Sequence, residues 1–223
     1  MPIIFIKNID KHTKLGLYSI PPHECLASKC PIDIHEDIKT KCYSRRQEIA
    51  AEYLLLYELS KDESLRISHE QSGRPVLLQI KNNNEICKSK YKISISHTKG
   101  YVSIILSTVN NVAVDIEYKS NRIHKIKDRF LSSKELNEIK LSEYEFIDHK
   151  TTRLLLYWCA KETIYKFYSD EMLTFQNMKV EPIQQIHKVG EIGCKNLINN
   201  MQLNIHYIQT PEYLLTYTIG CYK

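Results

Sequence analysis

Two carboxylates close an apolar run at Val112-Ala113-Val114-Asp115-Ile116-Glu117. Side chains alternate along a strand, so Asp115 and Glu117 share one face while Ile116 turns to the core. Two hard oxygen donors about 6–7 Å apart can grip one divalent ion and leave it open to phosphate. A solvated strand end with two surface acids is the plainer alternative. A second cluster, Trp158-Cys159-Ala160-Lys161-Glu162-Thr163-Ile164-Tyr165-Lys166, reads as helix, where Glu162 and Lys166 stand one turn apart on one face. The common use of that spacing is an ion pair on a wet surface. The sharper use gives Glu162 to a metal or a proton and Lys166 to a phosphate. Trp158, one turn before Glu162, reads as core. The third cluster is Ser94-Ile95-Ser96-His97-Thr98, a strand that leads into a turn. His97 falls where the strand stops, beside hydroxyls and the N–H groups of a Gly-containing turn, which suits an anion. A surface histidine is the plain alternative.

These clusters need elements to hold them. Residues 3–6 read as a strand, followed by a turn-rich segment with Pro21, Pro22 and Pro31. Ser44 to Leu59 reads as a helix with Ser44 as N-cap and Glu48 in its first turn. Its Ile49, Tyr53 and Leu56 keep helical spacing, leaving Arg45, Arg46 and Glu52 for other faces. Gly73-Arg74-Pro75 punctuates a turn before the apolar Val76-Leu77-Leu78, and 81–85 is a surface loop. Strands follow at 92–96, 101–107 and 112–116, a three-stranded run. A short helix spans 121–130, and Ser132-Ser133-Lys134-Glu135 is a capping box opening another. The longest helix runs from about Thr151 to Tyr168. Short strands rich in Tyr, Ile and Leu, such as 213–219, complete an α+β chain. Leu54-Leu55-Leu56-Tyr57 recurs as Leu154-Leu155-Leu156-Tyr157, which suits two similar halves.

At 223 residues the chain is long enough for one large domain or two small ones. A net charge of +5 favours anionic small molecules or acidic protein surfaces without demanding nucleic acid. No stretch approaches the ~18 apolar residues of a membrane span, and the apolar run at 3–6 is too short for a signal segment. Seven cysteines without a C-x-x-C pair read as free thiols in a reducing, cytoplasmic setting.

Taken in order, five motifs resemble the 4′-phosphopantetheinyl transferases of the larger single-chain type that activates surfactin synthetase. They are Gly73-Arg74-Pro75, Ser96-His97-Thr98, Val112 to Glu117, Phe130-Leu131-Ser132-Ser133-Lys134-Glu135 and Trp158 to Lys166. The match covers about residues 40–170. Thr98 stands for the usual serine and Ala113 for the usual glycine. The basic patch Lys39, Lys41, Arg45 and Arg46 matches in character alone.

The resemblance implies two similar α+β halves with pseudo-twofold symmetry and a ligand cleft between them, residues 1–107 and 108–223. It implies a transferase that moves 4′-phosphopantetheine from coenzyme A to a serine of an apo acyl or peptidyl carrier protein and releases 3′,5′-ADP. Magnesium, with manganese as the alternative, would be held by Asp115, Glu117 and Glu162. Glu162 would also be the general base, and Lys166 would neutralise the pyrophosphate. Coenzyme A would be held by Arg45, Arg46, Arg74, Ser96, His97 and Lys166. The resemblance implies a monomer with no nucleic-acid or membrane partner. Two rivals are a non-catalytic binding module for coenzyme A or a carrier protein, and a basic nucleic-acid-binding protein.

Overall fold

The apolar–polar alternation of the early residues builds antiparallel strands in the computed structural model, which describes residues 2–141, 147–169 and 171–221. The chain divides into two units: Met1–Val112 with Ile219–Lys223, and Ala113–Thr218. The first holds β1 (Ile3–Asn8), β2 (Thr13–Ser19), α1 (His35–Ile38), α2 (Tyr43–Ser60), β3 (Leu65–His69), β4 (Pro75–Ile80), β5 (Ile86–Lys88), β6 (Lys92–Thr98) and β7 (Tyr101–Ser107). Next come β8 (Asn111–Tyr118), α3 (Arg122–Phe130), α4 (Ser133–Leu141), α5 (Ile147–Phe167), β9 (Met178–Val180), β10 (Val189–Asn196), β11 (Gln202–Gln209) and β12 (Tyr213–Gly220). The architecture is α+β.

In the first unit a four-stranded sheet runs β1-β2-β7-β6, and β3-β4-β5 forms a smaller one. Leu55, Leu56 and Leu59 of α2 join Tyr18, Val102, Ile104 and Leu106 in one buried cluster. The helix comes so close to β2 that a Cβ on Gly16 would stand 2.7 Å from Leu55 Cδ1. A side chain there would force the ends of Leu55 and Leu59 to shift. Gly100, at φ +76°, closes the turn between β6 and β7.

The helix expected from Ser44 begins at Tyr43, and its N-cap is Cys42, with no side-chain capping bond. Ser44 lies inside the first turn, its hydroxyl 3.4 Å from Cys42 Sγ. The strand expected to stop before His97 continues through it to Thr98, because His97 pairs with Val102 across the hairpin. The three strands expected over 92–116 all form, and they divide between two sheets. β6 and β7 pair with each other, whereas β8 opens the five-stranded order β8-β12-β11-β10-β9. From Val112 to Ile116 every β8 side chain is buried, so the strand is covered on both faces; its neighbour in the sheet is β12.

α5 (Ile147–Phe167) is already helical four residues before the expected Thr151. Leu154, Leu155, Leu156, Tyr157, Cys159, Ala160 and Ile164 are all buried, so the helix is covered on more than one face. Thr216 of β12 donates to the Cys159 carbonyl at 3.0 Å, and its hydroxyl meets that of Thr163 at 2.7 Å. The capping box forms as expected: Ser132 N–H donates to Glu135 Oε2 at 2.7 Å, and Glu135 N–H to Ser132 Oγ at 3.3 Å.

That same Glu135 receives the Lys161 ammonium at 2.8 Å and the Val180 N–H at 3.2 Å. Lys161 is 0% exposed and also donates to the Phe130 and Phe175 carbonyls, at 2.7 and 3.3 Å. Burial pulls its ammonium below the ordinary lysine value, and the Glu135 carboxylate opposes that pull. Glu135→Ala leaves a buried cation without its carboxylate, and its expected cost is about 3–5 kcal/mol in urea unfolding. Replacing both partners, Glu135→Leu with Lys161→Met, is expected to recover most of the loss. A single-variant loss under about 1 kcal/mol would contradict a tightly coupled pair.

Candidate functional site

The site of the second unit is assembled from β8 and α5. Asp115 is 4% exposed, which removes the solvated strand end as a description of it. Its Oδ1 accepts from Lys166 Nζ at 2.7 Å, and the same ammonium reaches the Val114 carbonyl at 3.1 Å. The buried Cys159 thiol lies against Asp115. Burial, the Asp115 and Glu117 charges and a bond to Asp115 push that thiol well above its ordinary value. Glu117 is half-buried, and its Oε1 accepts the Trp158 indole N–H at 3.0 Å. Trp158 is fixed in turn by Phe130, edge-on with centroids 5.2 Å apart, and by Phe175 at 5.5 Å. The indole is therefore only partly core: it is a strut between the aromatic cluster and a carboxylate.

Glu162 lies on α5, one turn beyond Trp158 and one turn before Lys166. Its carboxyl is pushed from an ordinary 4.5 up to about 7. Desolvation is the largest cause; the Asp115 charge adds to it, Lys166 opposes it, and Glu117 adds again. A wet-surface ion pair with Lys166 would not produce that shift. The three carboxylates and Lys166 thus form one electrostatic group.

Among the described residues no three His, Cys, Asp or Glu side chains gather at metal-ligating spacing. The donor chemistry nonetheless suits a hard cation. Asp115, Glu117 and Glu162 offer carboxylate oxygens, the ligands magnesium prefers. The mutual repulsion that helps raise Glu162 is also what a bound cation relieves.

In the first unit the structure brings Arg45 and His97 together through a residue the sequence did not single out, Glu52. His97 Nε2 lies 2.5 Å from Glu52 Oε1, and Arg45 NH1 lies 3.1 Å from the same oxygen and 2.9 Å from Glu48 Oε2. Arg45, Glu48 and Glu52 follow each other at i, i+3 and i+7 on α2, a spacing that puts them on one helix face. That was the available signal. Arg46 is used differently, donating to the Lys41 carbonyl at 2.7 Å and the Lys39 carbonyl at 3.3 Å. Arg74 stands in the β3–β4 turn and lines a cavity of about 200 Å³ with Lys88 and Lys90. Ser96 is buried on β6. A larger cavity of about 470 Å³ belongs to the second unit, lined by Lys119, His149, Arg153 and Gln209 among others. Its described lining includes none of the three carboxylates.

Residues 111–218, just under half of the chain, match the family model of the 4′-phosphopantetheinyl transferase superfamily. No curated protein matches the chain. The matched stretch includes Asp115, Glu117, Trp158, Glu162 and Lys166, and it supports that general family. The family acts in phosphopantetheine transfer from coenzyme A to carrier proteins. No helix among the described residues is long and apolar enough to cross a membrane.

In metal-free protein the Glu162 carboxyl is expected to titrate near 7, read by carboxyl ¹³C resonances. Lys166→Met is expected to move that midpoint higher, since Lys166 lowers it. A folded value above 4.5 means that ionising Glu162 costs stability. The cost is absent below about 4.5 and complete above about 7, so unfolding free energy falls as pH rises through that window. Glu162→Gln is expected to lose this part of the pH dependence. A wild-type midpoint near 4.5 would contradict the desolvated geometry.

Proposed function

We propose that this chain is a magnesium-dependent 4′-phosphopantetheinyl transferase of the larger, surfactin-synthetase-activating type, a holo-[acyl-carrier-protein] synthase working in the cytoplasm as a monomer. The observation that carries the reading is the group of buried Asp115 with half-buried Lys166 and Glu162, Glu162 being raised to about 7. A carboxylate with that value is part ionised at neutral pH, the condition in which general-base catalysis works best.

The carrier serine Oγ attacks the β-phosphorus of coenzyme A. A new P–O bond to serine forms, the anhydride P–O bond breaks, and 3′,5′-ADP departs with the bridging oxygen. Glu162 takes the serine proton as the nucleophile commits. Lys166 supplies a cation for the pyrophosphate, and Trp158 keeps Glu117 in place. Arg45, Arg46, Arg74, Ser96 and His97 hold the nucleotide and its 3′-phosphate. Magnesium would be held by Asp115, Glu117 and Glu162, and when bound it neutralises charge on the pyrophosphate. The net charge of +5 suits an acidic carrier protein, which it would steer at long range.

An apo carrier protein incubated with coenzyme A, magnesium and this protein is expected to gain the mass of one phosphopantetheine. Coenzyme A binding with no mass gain on any apo acyl or peptidyl carrier would instead leave a binding module. Asp115→Ala is expected to abolish transfer while a cooperative thermal transition persists. Glu162→Gln is expected to lower kcat by ~10²–10⁴-fold, with coenzyme A binding nearly unchanged. Lys166→Ala is expected to worsen KM as well, because a cation on the phosphates acts on bound substrate too. Near-wild-type rates in the Glu162 and Lys166 variants would leave the α5 cluster as scaffold.

A further inference from the structure

Glu52 has no place in the chemistry described so far, yet its position is costly. It is 3% exposed, on α2, and a carboxylate in such surroundings is expensive unless it is paired. An apolar side chain of similar volume would serve packing as well or better. What the carboxylate does is hold two side chains from two elements with one oxygen. Oε1 lies 2.5 Å from His97 Nε2, on β6, and 3.1 Å from Arg45 NH1, on its own helix. Because Nε2 is engaged by Glu52, the ring atom left for a ligand is Nδ1. The His97 side chain is 29% exposed, and its Nδ1 has no bond among the described residues.

We infer that Glu52 is a positioning residue for nucleotide binding: it fixes the His97 ring with Nδ1 outward and sets the Arg45 guanidinium beside it. The inference rests on the coenzyme A reading of His97 and Arg45. Glu52 touches no substrate under it. Its own negative charge would repel a phosphate, so its value lies in orientation, and this decides the sign of the test. If Glu52 acted through charge alone, removing it would tighten coenzyme A binding. If it acts by orientation, removing it weakens binding despite the lost repulsion.

The test is calorimetric binding of coenzyme A and of 3′-dephospho-coenzyme A to the full chain. Glu52→Met keeps the volume, loses both bonds and is compatible with burial; Glu52→Gln keeps an oxygen that can accept from Nε2. Glu52→Met is expected to raise Kd for coenzyme A about tenfold, the scale of one charge-assisted hydrogen bond. Much of that loss is expected to vanish with the dephosphorylated ligand, a dependence that general loosening of the fold would not produce. Glu52→Gln is expected to stay within about threefold of wild type, and it carries the test if the methionine variant does not fold. In a His97→Ala background Glu52→Met is expected to add little, because the two residues act as one unit. Wild-type or tighter binding by Glu52→Met, equal losses for both ligands, or fully additive losses would overturn the inference. If His97→Ala weakens binding and Glu52→Met does not, Glu52 fails alone. If His97→Ala binds as wild type, the nucleotide reading of His97 falls and the inference falls with it.

Discussion

Burial of Lys161 on the helix that also carries Glu162 and Lys166 constrains everything in the second unit. An ammonium at 0% exposure is tolerable because the Glu135 carboxylate and two backbone carbonyls meet its protons. Glu135 is itself fixed by the Ser132 cap and the Val180 N–H. The pair therefore ties α5 to the start of α4 and to β9, and it sets the rotation of α5 about its own axis. Residues next to Lys161 inherit that rotation. Glu162 emerges about 100° further round, which places it within electrostatic reach of Asp115 rather than among the buried leucines.

The chemistry of the second unit was legible because strand and helix periodicities are local rules. Alternation put Asp115 and Glu117 on one face, and helical spacing put Glu162 next to Lys166. Sequence could not assign partners across elements. The i,i+4 spacing suggested Glu162 for Lys166, whereas the ammonium lies on Asp115, fifty-one positions away in the chain. Trp158 read as core and instead donates to Glu117 across forty-one positions. Both corrections come from packing α5 against β8, which no local pattern encodes.

Elements were read better than their neighbours. The helix ends at 121–130 and the cap at Ser132 needed only local chemistry, and both hold to within a residue. The three strands over 92–116 were legible, but the sheet that β8 joins was not, because its neighbour β12 lies about a hundred residues further along the chain. Cys42 rather than Ser44 takes the α2 cap, since a preferred residue type does not fix where the chain enters the helix.

Carboxylates withdrawn from water are handled in two opposite ways in this chain, and the contrast bears on what each carboxylate can do. Glu135 and Glu52 are each met by cationic or hydrogen-bonding groups close at hand, so each can hold its neighbours in place. Glu162 is desolvated beside two further carboxylates, with Lys166 opposing them in part. A carboxylate whose oxygens are engaged by such partners serves to position them. One that is under-compensated keeps its affinity for a proton or a metal ion. Glu162 has the second character: desolvation and the Asp115 and Glu117 charges raise it, and Lys166 offsets them only in part.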